Sequence, residues 1–166
     1  MKRTQKGFTL VELLVVIAII AVLAGALLIA INPQSMLQKS RDAKRLQDMD
    51  TLVKAISLAL ADGEITLEAT TGAQDSASGD WDADGAGYVS FAIPTGKTGL
   101  SKYISTLPRD PLNTAPNIYY FASTATDYEL NAVLEHTDNL TKMTTDGGND
   151  AARFEQGSAL TVITPE

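Results

Sequence analysis

Cysteine does not occur in the 166 residues, which excludes disulfides, thiolate nucleophiles and Cys-based metal cages. Histidine occurs once, so a His-based cage and a Cys-His catalytic pair are excluded too, and His136 reads as a surface or strand-end residue. Basic side chains are scarce, 13 Lys and Arg against 20 Asp and Glu. Non-specific nucleic-acid binding needs the opposite balance, so no nucleic-acid partner is expected. Thr95-Gly96-Lys97-Thr98 lacks the glycine that a phosphate loop carries five positions before Gly96, where Phe91 stands. No serine, base and acid constellation stands out, and the chain reads as non-enzymatic. Asn139-Leu140-Thr141 fits a glycosylation acceptor, but so short a match implies no modification. No internal repeat is visible, and the length suits one small domain plus a helix.

What is present is a long apolar run. From Leu13 to Ile31 there are 19 residues without a charged or polar side chain. As a helix they extend about 28 Å at about 1.5 Å per residue, close to the roughly 30 Å of a bilayer's hydrocarbon core. Glu12 sits just inside the run, where an unpaired carboxylate costs on the order of 2.5–3.5 kcal/mol at full membrane depth and less at the edge. The residue either snorkels to the interface or has a partner.

Lys2, Arg3 and Lys6 precede the run, as in a secretory signal, but the small residue beside the basic flank is Gly7, which lies ahead of the apolar segment instead of behind it. A cut there leaves the helix on the product. The product is then more acidic than the net charge of −7 for the whole chain, because removing three basic residues leaves 10 basic against 20 acidic side chains, or −10.

Lys6-Gly7, then Phe8-Thr9-Leu10-Val11-Glu12 and the apolar helix, resembles the prepilin leader of type IV pilins and type II secretion pseudopilins. The resemblance implies cleavage by a prepilin peptidase between Gly7 and Phe8 and methylation of the new amine on Phe8. It further implies that Glu12 pairs with the terminal amine of a neighbouring subunit as a homo-oligomeric filament assembles. Residues 1–7 are then a basic leader and 8–31 a helix that sits in membrane lipid before assembly and in the filament core afterwards. Basic residues flank both ends of the span, Lys39, Arg41, Lys44 and Arg45 following it, so charge alone nearly ties on orientation. The resemblance breaks the tie, with the leader cytoplasmic and the C-terminal domain outside the membrane. Three roles fit: a pseudopilus subunit working with secretion machinery, a type IV pilin for adhesion, motility or DNA uptake, or a membrane-anchored calcium- or ligand-binding module.

Pro33 predicts a kink after the apolar run, because proline removes a backbone donor and clashes with the preceding turn. The helix then resumes as an amphipathic continuation over 32–62, with Leu46, Met49, Val53, Ile56 and Leu60 as its apolar stripe and Gly63 as its stop. The cluster Lys39, Arg41, Lys44 and Arg45 reads either as a solvated face or as a collar meeting the acidic surface of another subunit. Residues 63–166 are expected to form an acidic globular domain with an antiparallel sheet, giving an α+β, pilin-like fold: a long helix, membrane-spanning in its first half, packed on a small sheet.

Residues 69–87 contain no Leu, Ile, Val, Met or Phe and read as a surface loop. Within it Asp80, Asp82 and Asp84 alternate ahead of Gly85, as in an EF-hand-like loop, but Phe91 stands where the bidentate Glu would be. The loop is either a calcium site of another type or a solvated acidic turn. Asp146, Asn149 and Asp150 form a second oxygen-rich patch, similar to the calcium loop of major pseudopilins. Leu107-Pro108-Arg109-Asp110-Pro111 followed by Tyr119-Tyr120 partly resembles a pseudopilin segment ahead of the sheet. Strands are expected at 88–93, 117–122, 128–135 and 153–155 with an extension over 160–163. In the third, Tyr128, Leu130, Ala132 and Leu134 face inward, while Glu129, Asn131 and Glu135 face water.

Overall fold

The computed structural model describes residues 7–165; the leader residues 1–6, and with them Lys2, Arg3 and Lys6, lie outside that range. The chain divides into two compact units, Met1–Leu37 and Gln38–Glu166. In the first, helix α1 (Leu10–Ile31) carries the apolar run, and Leu10–Leu28 is long and apolar enough to cross a membrane. Helix α2 (Pro33–Ala61) starts one residue after a break at Asn32, which takes a left-handed conformation at φ 46°. The interruption thus falls on Asn32, and Pro33 occupies the first helical position, where its missing N–H costs nothing.

The C-terminal part of α2 belongs to the second unit. Its buried positions are Asp42, Arg45, Asp48, Met49, Leu52, Ala55, Ile56 and Ala59. The expected stripe is therefore rotated: Met49 and Ile56 are central, whereas Leu46, Val53 and Leu60 flank a line completed by Leu52, Ala55 and Ala59. The small alanines let the sheet approach. Past Ala61, Glu64 N–H donates to Ala59 O (2.8 Å) and Gly63 N–H to Leu60 O (3.1 Å). With Gly63 at φ 61°, this is the left-handed closure that glycine accommodates without the Cβ penalty.

Four antiparallel strands follow in the order β1 (Gln74–Asp75), β2 (Tyr120–Ser123), β3 (Tyr128–Ala132) and β4 (Phe154–Gly157). Phe121 is registered with Leu130, and Leu130 with Gln156. Phe121, Tyr128 and Leu130 pack with Met49, Leu52 and Ile56 of α2 in one core, which Phe91, Leu100 and Tyr119 complete. Burial of each such side chain contributes about 1.5–3 kcal/mol relative to exposure.

Three expectations about strands are corrected. Residues 88–93 make no strand; Tyr88, Val89 and Phe91 are buried, and the only pairing there is an isolated bridge from Ala92 to Thr66. The 160–163 extension is likewise not a strand. Most consequentially, all five residues of β3 are buried, Glu129 and Asn131 included. The face expected to be wet is covered by the C-terminal segment, whose Val162 and Ile163 amides donate to the Glu129 carboxylate at 2.7 and 2.9 Å.

Candidate functional site

Gly7 and Phe8 are exposed, and Thr9, extended at φ −81° and ψ 151°, leads into α1. Phe8 is 89% exposed, and among the described residues nothing lies within 4 Å of where a Gly7 side chain would be. Thr9 caps the helix reciprocally with Glu12. The Glu12 amide donates to Thr9 Oγ1 (3.2 Å), while Glu12 Oε2 accepts from the Thr9 amide (2.9 Å) and hydroxyl (2.8 Å). The Thr-x-x-Glu spacing makes this capping box readable in retrospect, although Glu12 alone draws the eye. Its effect is to fold the carboxylate back to the first turn, one residue from Phe8, where the helix's positive end favours negative charge. Beyond it, Leu13, Leu14, Val15, Val16, Ile17, Ile19, Ile20, Val22 and Leu23 are all exposed. Such a continuous apolar surface is one that water does not tolerate and that lipid or other helices cover.

The basic cluster is not a free collar. Lys39 pairs with Asp138 (2.7 Å), Arg41 with Glu135 (2.6 Å) and Lys44 with Asp48 (2.6 Å). Arg45 is fully buried and reaches Asp110 (2.5 Å), Asp42 (3.0 Å) and Glu135 (2.5 Å). Burial would lower the Arg45 pKa, but the Asp110 and Glu135 carboxylates hold it above its ordinary value. Arg41, against the cost of burial, and then Arg45 depress Glu135 to about 2. Asp42 also accepts the Glu135 and His136 amides (2.9 and 2.8 Å) and the Asn139 side-chain amide (3.0 Å). The Asn139 nitrogen is thereby committed to the fold, and His136 is buried at the start of a 3-10 turn instead of lying at the surface. Lys39, Arg41 and Arg45 thus tie α2 to Asp110 and to the 135–138 segment, while the Lys44 pair stays within the helix.

The expected calcium residues lie apart. Asp80, Asp82 and Asp84 are exposed. The first and third turn back onto the amides of Asp82 (3.1 Å) and Ala86 (3.0 Å). In the second patch Asp146 accepts the Gly148 and Glu155 amides (3.0 and 2.9 Å), Asp150 accepts the Ala152 amide (2.9 Å), and Asn149 donates to Ile163 O (3.2 Å). Among the described residues no three Asp, Glu, His or Cys side chains converge as a ready-made metal cage. Close by lies a buried pair, Glu155 and Glu129, the second of which sequence reading assigned to solvent. Burial pushes the Glu155 carboxyl up to about 7, against the Asp150 amide that favours its ionised form and with the Glu129 carboxyl beside it.

Comparison with known proteins bears on the N-terminal segment first: residues 2–28 match the prokaryotic N-terminal methylation motif. Over 102 residues the chain is 36% identical to the type IV major fimbrial protein FimA of Dichelobacter nodosus, covering 61% of this chain and 63% of that one. It is 33% identical over 127 residues to the FimA of Dichelobacter nodosus strain VCS1703A, covering 76% of this chain and 74% of that one. A fimbrial protein of Dichelobacter nodosus is 35% identical over 133 residues, with the same two coverages. No solved structure matches the chain.

Proposed function

Because the chain belongs to the type IV pilin-like family of fimbrial proteins, we propose that it is the structural subunit of a type IV pilus, stored in the membrane as a precursor and polymerised through α1. The observation that carries this reading is an apolar helix exposed along its length with one carboxylate folded back at its first turn. The relatives at 33–36% identity are named for fimbriae, which favours a pilus over a secretion pseudopilus and a structural role over a catalytic one.

In this reading the leader stays in the cytoplasm and the domain from Gln38 onward lies outside the membrane. Prepilin peptidase cuts between Gly7 and Phe8, which the exposure of both residues allows, and Phe8 is then N-methylated. Before assembly, Thr9 satisfies one oxygen of Glu12, which lowers the cost of holding a carboxylate at the membrane edge. In the filament a neighbour's Phe8 amine supplies the missing counter-charge. A wrong axial stagger strands both charges in an apolar surround, so the pair selects register. Leaving lipid is tolerated because helices from many copies pack against one another in its place.

The test is filament assembly by Glu12→Ala and Glu12→Gln chains in cells that carry the processing and assembly machinery. Both variants are expected to be cleaved normally yet to yield at least about tenfold fewer fibres, the loss that a deficit of a few kcal/mol per subunit implies. Wild-type fibre yield from either variant would refute the pairing.

A further inference from the structure

The covered face of the sheet carries buried oxygens that filament assembly does not use. The register sets Asn131 opposite Glu155, and Glu129 lies two residues away on β3, so the three side chains leave the same face. All are sealed, at 0%, 1% and 0% exposure for Asn131, Glu155 and Glu129. One oxygen of each carboxylate is held by backbone amides: Glu129 Oε2 by Val162 and Ile163 (2.7 and 2.9 Å), and Glu155 Oε2 by Asp150 (2.9 Å). Among the described residues, the other oxygen of each, Oε1, has no hydrogen-bond donor, and neither the Oδ1 nor the Nδ2 of Asn131 has a partner.

This pattern asks for something with positive charge. Two carboxyl groups side by side in a sealed site, each with one oxygen lacking a donor, are costly to bury unless a cation or a proton satisfies them. Arg153, on the turn leading into β4, is committed to Asp150 (3.3 Å) and to the Tyr120 ring (4.1 Å). The 146–150 loop closes over the pair so tightly that a Cβ on Gly148 would overlap the Glu155 carboxylate. An uncommitted buried amide such as Asn131, costly to leave unpaired, becomes a ligand if its carbonyl oxygen turns toward an ion.

We propose that Glu129 Oε1, Glu155 Oε1 and Asn131 Oδ1 hold one calcium-sized divalent cation beneath the C-terminal segment. Three hard oxygens carrying two negative charges match calcium in kind and charge, and calcium tolerates an irregular set completed by carbonyls or water, whereas magnesium demands near-ideal octahedral geometry. The same two carboxylates anchor residues 162–163 and the 146–150 loop, so the ion fixes both over the sheet. The site is separate from the exposed Asp80, Asp82 and Asp84 turn.

The experiment uses the full-length processed chain in detergent, stripped with EDTA, at pH 7.5, with thermal unfolding and isothermal titration calorimetry against calcium chloride and, for comparison, magnesium chloride. One calcium per chain is expected, with a Kd in the millimolar range or tighter and a Tm that rises with calcium concentration. Glu155→Gln preserves shape while removing one charge. It is expected to weaken calcium binding at least about tenfold, yet in EDTA to be no less stable than wild type, which separates lost binding from lost folding. Asp82→Asn is expected to keep the full calcium response. The proposal is overturned if wild type shows neither heat nor a Tm response up to about 10 mM calcium, the behaviour of a carboxyl pair that holds a shared proton. It is equally overturned if Glu155→Gln binds calcium as wild type does.

Discussion

Replacing Asp110 by alanine separates the cost of a buried charge from that of a surface one. Asp110 is 3% exposed and grips the fully buried Arg45 with both oxygens, at 2.5 and 3.0 Å. It also accepts the Leu112 and Asn113 amides at 2.8 and 3.3 Å. Breaking one partner of a buried pair costs about 3–5 kcal/mol, because the remaining charge is stranded. Asp42 and Glu135 still touch Arg45, which places the loss near the low end, and the two freed amides add back roughly 0.5–1 kcal/mol. The total is about 3–4 kcal/mol. For a domain of this size each kcal/mol lowers Tm by about 3 °C, so thermal unfolding followed by circular dichroism is expected to shift down by about 10 °C. The control is Asp50→Ala, which breaks the Lys54 pair. That contact is also 2.5 Å, but its side chains are 54% and 68% exposed, and it is expected to cost under about 0.5 kcal/mol. Equal shifts for the two variants would refute the claim that burial, not distance, sets the energy.

Acid should weaken the fold through the depressed carboxyls. Glu135 and Glu64, held near 2 by Arg41 and by the Thr98 amide respectively, contribute stability that is full above their unfolded pKa of about 4.5 and lost as pH falls through about 2. A Tm that is flat between pH 5 and pH 2 would contradict these pairings. Gly63→Ala forces a Cβ into the left-handed region at φ 61° and should cost about 1–2 kcal/mol, read as a lower urea midpoint with an unchanged m-value. Gly148→Ala should displace the Glu155 carboxylate, costing about 1–3 kcal/mol by overpacking, and abolish the calcium response, as the same unfolding assay would reveal.

Local signals survive folding, and these were legible. The apolar run, the Gly63 stop and the two strands flanking residues 124–127 each rest on neighbours in sequence. What sequence could not show depends on chain brought from afar. Arg45 meets Asp110 across 65 residues and Arg41 meets Glu135 across 94, so half of a cluster that reads as a solvated face or a docking collar is paired within the fold. Glu129 and Asn131 alternate with Tyr128 and Leu130 as a half-wet strand should. A C-terminal segment with no strand pairing of its own nevertheless reaches Glu129, and the 146–150 loop closes on Glu155. β1, at two residues, is too short to leave a periodic signal.

That the chain is a processed filament subunit is tested most directly by its mass in fibres sheared from cells. The predicted mass is that of a chain beginning at Phe8 and carrying one extra methyl group on its N-terminus. Fibres built from a chain that still begins at Met1, or a sheared fraction that contains this chain in no polymer at all, would contradict it.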